Sequence, residues 1–191
     1  FYYKSSKAAD GHALFRFDMN TFTSTKTSLT FGSYIRGTDF VEVKRPDVAG
    51  TCFVNAQYNG RLYLMNFEKG KTVTYEGMLH GSPAAIRRIT FDDQNRLYAT
   101  EYMGTKGARW DFTKPEAEQL EYYHMAQGDS ICQVGDQMIF GNYTGATLYQ
   151  MDLNKPIYEQ YNKNDPNMNP IIVGSIGEDQ DRPTVMKEAN G

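Results

Sequence analysis

Gln137–Tyr161 reads QMIFGNYTGATLYQMDLNKPIYEQY, and its pattern decides the fold. Gln137–Tyr143 is one short apolar-polar run, Thr144-Gly145 is a tight-turn pair, and Ala146–Leu153 is a second run. Asn154-Lys155-Pro156 turns the chain again before Ile157–Tyr161. Short runs of this kind, bounded by Gly, Asn and Pro, mark antiparallel strands joined by tight turns. The stretch predicts three strands in a meander.

The same pattern is written three more times. Phe1–Ser6, Ala13–Met19 and Thr23–Phe31 form one copy. Thr51–Gln57, Arg61–Phe67 and Lys71–Gly77 form the next, and Arg96–Tyr102, Gly107–Thr113 and Ala117–Tyr123 the third. An acidic or amide residue near the end of each middle strand acts as a ruler: Asp18, Asn66, Asp111 and Asp152, at intervals of 48, 45 and 41 residues. Thr38–Lys44, Ala85–Phe91 and Ser130–Val134 are candidate strands ahead of three copies, and Pro183–Lys187 is a fourth. The unit is therefore four strands, A-B-C-D.

A four-stranded antiparallel unit repeated at this period predicts an all-β fold, a β-propeller of about four blades. One such sheet cannot bury both faces, and stacking the sheets around an axis does so. A β-sandwich also uses short strands but has no reason to repeat at a fixed period. The expected domain is 1–191, with blades near 1–31, 38–77, 85–123 and 130–161 and a final strand at 183–187. The chain is out of phase with the blades, since its first copy starts at strand B. It is either a piece of a larger propeller, whose remaining blades would be its partner, or closed by Pro183–Lys187 beside Phe1–Ser6. Leu14, Leu62 and Leu148 are expected between blades, with Ala108 in the matching smaller slot. Asn162–Gln180 breaks the period and reads as a long D-to-A connection.

Composition narrows the function classes. The 14 Tyr, 11 Phe and 17 Gly suit strands and tight turns. A net charge of −3 with no basic run argues against a nucleic-acid surface. No apolar stretch approaches the roughly 18 residues of a membrane span. The chain opens on Phe1 with no signal-peptide pattern, so compartment is not readable, and a secreted or periplasmic location is the favoured expectation. Cys52 and Cys132 lack metal-site spacing and read as small buried side chains in strands.

The strand order sorts the polar residues by face. D-A and B-C connections emerge together around the channel mouth, and A-B and C-D turns emerge on the other side. His80, His124, Tyr102 and Tyr143 fall on the mouth face, as do Arg36, Asp181 and Arg182. A lyase acting on an acidic polysaccharide needs a cation for the sugar carboxylate and a base for the C5 proton. Arg36 and Arg182, with Asp181, are the candidate substrate holders. His80, His124, Tyr102 and Tyr143 are the candidate catalytic groups. The same residues also suit a solvated rim. No nucleophile elbow, zinc-type cluster or phosphate loop occurs, and no cofactor is expected. Asn162, Asn164, Asp165, Asn167 and Asn169 are oxygen-rich, as Ca²⁺ prefers, and are equally turn formers. Asn142-Tyr143-Thr144 matches a glycosylation sequon at a tight turn, where such triplets also arise by chance. Trp110 reads as packing between blades.

The (A/R)-L-(F/Y)-x-(F/M)-(D/N) strands resemble bacterial β-propellers of the quinoprotein-like and WD-like type. The closing run GEDQDRPTVMKEANG looks like sequence leading into a blade in propellers found alongside polysaccharide-processing genes. The Trp110-Asp111 dipeptide stands inside a blade without a Gly-His, which departs from WD40 repeats. The resemblance implies a fold and transfers no catalytic residue. The resulting expectation is a carbohydrate-directed propeller that binds or cleaves an acidic oligo- or polysaccharide at the channel mouth. A polysaccharide lyase is favoured over a hydrolase if it is an enzyme. The alternative is a non-catalytic protein-interaction scaffold. An enzyme should gather His, Tyr and Arg within hydrogen-bond reach, whereas a scaffold would spread them on the rim.

Overall fold

The computed structural model describes residues 2–8, 11–31, 37–43, 48–56, 62–66, 68–75, 85–177 and 179–189. These residues form antiparallel sheets and one 3₁₀ turn, Glu116–Glu118. Two compact units divide the chain, Phe1–Ile35 and Arg36–Gly191.

The first unit is a three-stranded meander of β1 (Tyr2–Ala8), β2 (Gly11–Asp18) and β3 (Thr23–Phe31). Ala13 and Leu14 are buried. Asp18 ends β2 by accepting the backbone N–H groups of Asn20 and Thr21 at 2.8 and 3.2 Å.

The second unit holds three four-stranded blades of β-propeller type. They are β4 (Gly37–Val43) to β7 (Lys71–Tyr75), β8 (Ile86–Phe91) to β11 (Leu120–His124), and β12 (Gly128–Val134) to β15 (Ile171–Ser175). Between them lie β5 (Gly50–Ala56), β6 (Leu62–Asn66), β9 (Leu97–Glu101), β10 (Lys106–Trp110), β13 (Gln137–Asn142) and β14 (Thr147–Asp152). Each blade runs in sequence order, A to D. The A strands are innermost: β8 lies against both β4 and β12.

Two cores seal the junctions. Val54, Leu62 and Leu64 of the β4–β7 blade pack with Leu97, Ala99, Ala108 and Trp110 of the β8–β11 blade. Tyr98, Tyr123 and Met125 pack with Met138, Phe140, Tyr149 and Met151 of the β12–β15 blade. Alternation sets this division, because consecutive strand residues point to opposite faces. Leu97 and Ala99 face backward while Tyr98 faces forward.

The ruler residues share one job. Asn66 Oδ1 accepts from Lys69 N at 2.9 Å, Asp111 Oδ1 from Thr113 N at 3.0 Å, and Asp152 Oδ1 from Asn154 N at 3.0 Å. With Asp18, each turns the chain after strand C through a side chain-to-backbone bond.

The structure corrects five sequence expectations. Ile157–Tyr161 forms no strand, and Ile171–Ser175 pairs with β14 instead. Ile171-Ile172-Val173 is β-branched, so it fits the pleat better than IYEQY. Asn169 closes the intervening loop by donating to the carbonyls of Asp152 and Pro156 and accepting from Asp152 N. The long connection is therefore C-to-D, residues 153–170, and not the D-to-A connection expected at Asn162–Gln180. Pro183–Lys187 carries no strand; every described A strand is laddered to a B strand of its own blade, and 183–187 has none.

The remaining two corrections concern the slot residues. Leu148 is only half-buried. Ala108 is buried but faces the preceding blade; counting back from the ruler, the position equivalent to Leu62 is Gly107. A Cβ there would stand 2.1 Å from the Tyr123 ring, so the tyrosine fills the space a leucine fills elsewhere. Trp110 is buried in the first core and stacks on Phe112, consistent with a packing role. Cys52 is buried and Cys132 half-buried.

Candidate functional site

The expected mouth face contains one dense polar cluster, centred on Asp129 near the start of β12. Its side chain is wholly buried. Arg87 Nε donates to Oδ1 at 2.6 Å, Gln127 Nε2 donates to the same oxygen at 2.8 Å, and Arg182 Nη1 donates to Oδ2 at 3.0 Å. The Asp129 carbonyl accepts from Arg88 Nε at 2.6 Å. Burial by itself would raise the Asp129 pKa. The bonds from Arg87 and Gln127 and the charges of Arg87 and Arg182 outweigh it, so the carboxyl sits below its ordinary value.

Local sequence explains the convergence. Arg87 and Arg88 are consecutive in β8, where the ladder register slips by one residue between Ile86 and Arg88, so both guanidinium groups reach Asp129 while Ile86 and Ile89 share the core face. Gln127 lies in the short β11–β12 connection. Its Oε1 accepts from Met103 N at 2.9 Å and its carbonyl from Tyr143 N at 2.9 Å, which ties both neighbouring B-C turns to the cluster. Residues 181–184 cross the face. Asp181 accepts from Ala146 N through its carbonyl and from Gly145 N through its carboxylate, at 3.2 and 3.3 Å. Arg88 Nη2 donates to the Thr184 carbonyl at 3.2 Å. Pro183 lies over Gly141, where a Cβ would come within 2.4 Å of its ring.

Arg182 is the outermost cation of this cluster. Its guanidinium stacks over Tyr143 at 3.9 Å from the ring centre, and its side chain is 38% exposed. One N–H is committed to Asp129. The others have no hydrogen-bond partner among the described residues.

Of the sequence candidates, Arg182, Tyr143 and Asp181 meet here. Asp181 spends its carboxylate on a turn amide. Tyr102 is half-buried on the adjacent turn, its backbone N–H bonded to the Ala85 carbonyl at 2.7 Å. His124 does not join them. Its ring stacks on Tyr161 at 5.3 Å, its N–H donates to the Tyr158 carbonyl, and burial lowers its pKa. Lys106 pairs with Glu159 beside it. The 153–170 loop thus meets the β8–β11 blade at the paired ends of its two outer strands, Lys106 and His124, and does not join the Asp129 cluster. Arg36 and His80 lie outside the described residues.

Sequence reasoning gave Arg87, Arg88, Gln127 and Asp129 no role. The available signal was the Arg87-Arg88 pair in an innermost strand. Among the calcium candidates, Asn162 and Asp165 accept from the backbone of Asn164 and Asn167, as turn formers do. Asn142, the sequon residue, is fully buried and donates to the Ala126 carbonyl at 2.6 Å, so the folded chain does not present it for glycosylation.

No family model and no curated protein sequence matches the chain. Solved structures do. Sqt1 of Saccharomyces cerevisiae matches with a TM-score of 0.61 at 9% identity, covering 86% of this chain and 48% of that one. U3-55K matches at 0.55 and 14%, covering 81% and 43%. A streptogramin B lyase matches at 0.55 and 19%, covering 86% and 55%. The chain spans about half the length of each. At these identities the likeness establishes the propeller fold alone.

Proposed function

We propose that this chain is a recognition module of propeller type that binds the acidic group of an oligosaccharide at the mouth face, and does so without cleaving it. The observation that carries this reading is the setting of Arg182. Tyr143 supports its plane, buried Asp129 holds one N–H, and its other N–H groups have no hydrogen-bond partner among the described residues. A guanidinium fixed in this way meets a carboxylate with two parallel hydrogen bonds and loses little side-chain entropy on binding. Among the described residues no imidazole stands beside Arg182, and Tyr143 turns its ring face to the guanidinium; this favours binding over lyase chemistry, which would need a base aimed at the substrate.

Calorimetric titration with a uronate oligosaccharide and its neutral counterpart tests the reading. Arg182→Ala should weaken acidic-sugar binding by about tenfold or more, the loss of a two-bond guanidinium–carboxylate contact. The melting transition should stay cooperative, because Arg87 and Gln127 still hold Asp129 Oδ1, although Oδ2 loses its donor. Arg182→Lys should recover only part of the affinity. Equal binding of acidic and neutral sugars, or no effect of Arg182→Ala, would leave the scaffold reading in its place.

A further inference from the structure

The forward face of the β12–β15 blade repeats a surface that is covered wherever else it occurs in the second unit. Counting from the ruler residues, Ile139, Leu148 and Gln150 stand where the β4–β7 blade has Val54, Leu62 and Leu64. Those three are fully buried against the β8–β11 blade. Ile139, Leu148 and Gln150 are half-buried, and Ile171, opposite Gln150 in the ladder, is 42% exposed. A cleft of about 200 Å³ opens on this side, lined by Gln137, Gln150, Asp152, Lys155, Met168, Asn169 and Ile171.

Polar residues on this face do not argue against cover. The β8–β11 blade carries Arg96 and Arg109 where this blade carries Gln137 and Gln150. Arg109 is buried at the next junction, paired with Glu121 at 2.7 Å. The Gln137–Gln150 amide contact at 3.1 Å is a milder version of the same arrangement.

Residues 181–187 supply the second observation. Their first part lies at the inner end of the blade, with Pro183 on Gly141 of β13 and the Thr184 carbonyl bonded to Arg88 of β8, and Val185 beyond it is exposed. That is the side from which each A strand begins. Sequence fits the role: PTVMK followed by the four residues EANG parallels ITF followed by DDQN, the end of β8 and the turn into β9.

We infer that the Ile139–Leu148–Ile171 face is a docking surface for a further propeller blade, with residues 183–187 as its A strand. The occupant is a three-stranded antiparallel meander that ladders onto 183–187. It presents alternating apolar side chains to Ile139, Leu148 and Ile171, as Leu97, Ala99, Ala108 and Trp110 do to Val54, Leu62 and Leu64.

The test appends Arg96–His124, the B, C and D strands of the β8–β11 blade, directly after Gly191 of the full chain. Hydrogen exchange should slow about tenfold or more at residues 184–187, relative to the parent. Binding of an apolar dye should fall. Leu148→Glu in the fusion should abolish both changes. Should Leu148→Glu also impair melting of the parent, Ile171→Lys at the exposed edge serves the same purpose. Unchanged exchange at 184–187 in the fusion would overturn the inference. So would a parent chain that sediments as a dimer which Ile171→Lys dissociates, because the face would then belong to a second copy.

Discussion

The two blade junctions of the second unit solve one packing problem with opposite side-chain sets. At the first, Leu62 and Leu64 reach forward and meet the small residues Ala99 and Ala108. At the second, the position of Leu62 is Gly107, and the positions of Ala99 and Ala108 are Phe140 and Tyr149. Both cores are closed, and nearly all these side chains are fully buried. Volume is therefore held over the junction and not at each position, which is the freedom that close packing leaves a repeat protein. Tyr123 completes the exchange: it lies across Gly107, its hydroxyl donates to the Ala99 carbonyl at 2.9 Å, and its ring meets Phe140 at 5.6 Å.

The comparison breaks most strongly at Phe140. Phe140→Ala removes a fully buried ring with no small-for-large partner to collapse into the space, and should cost about 3–5 kcal/mol in chemical denaturation. A smaller effect is expected at Gly107. Gly107→Ala drives a methyl into the Tyr123 ring and should cost about 1–3 kcal/mol. The double variant with Tyr123→Leu should recover part of that loss in a double-mutant cycle. If the two changes simply add, Tyr123 is not what fills the slot.

The smallest effect distinguishes the polar chemistry of the junctions. Tyr98 stands where the first junction has Val54, and its hydroxyl donates to Asp92 Oδ2 at 3.2 Å. Burial, then the Asp92 charge, pushes its pKa up to about 12. A raised folded value means that stability is fully present below the unfolded-chain value near 10 and is lost as pH rises through the folded one. Unfolding free energy should decline between about pH 10 and pH 12. Tyr98→Phe should make that decline shallower, with buried Tyr123 still contributing, and cost about 1 kcal/mol at neutral pH, measured by urea titration across alkaline buffers.

The sequence by itself determined the blade, its period and its order. Alternating runs, Gly and Asn turns, and the ruler residues are local signals, and the turn bonds of Asp18, Asn66, Asp111 and Asp152 reach no more than three residues along the chain. Tertiary structure decided what depends on distant partners. Strand D of the β12–β15 blade reads from sequence as Ile157–Tyr161, and the Asn169 clamp across the loop brings Ile171–Ser175 to that place instead. Arg182 and Tyr143 were legible as residue types on the right face. Their union with Asp129, Arg87 and Gln127 was not, because it joins three blade elements and a crossing segment that share no local pattern. His124 was legible in the same way and went elsewhere, since Tyr161 and the Tyr158 carbonyl reach it first from a loop whose path only the folded chain defines.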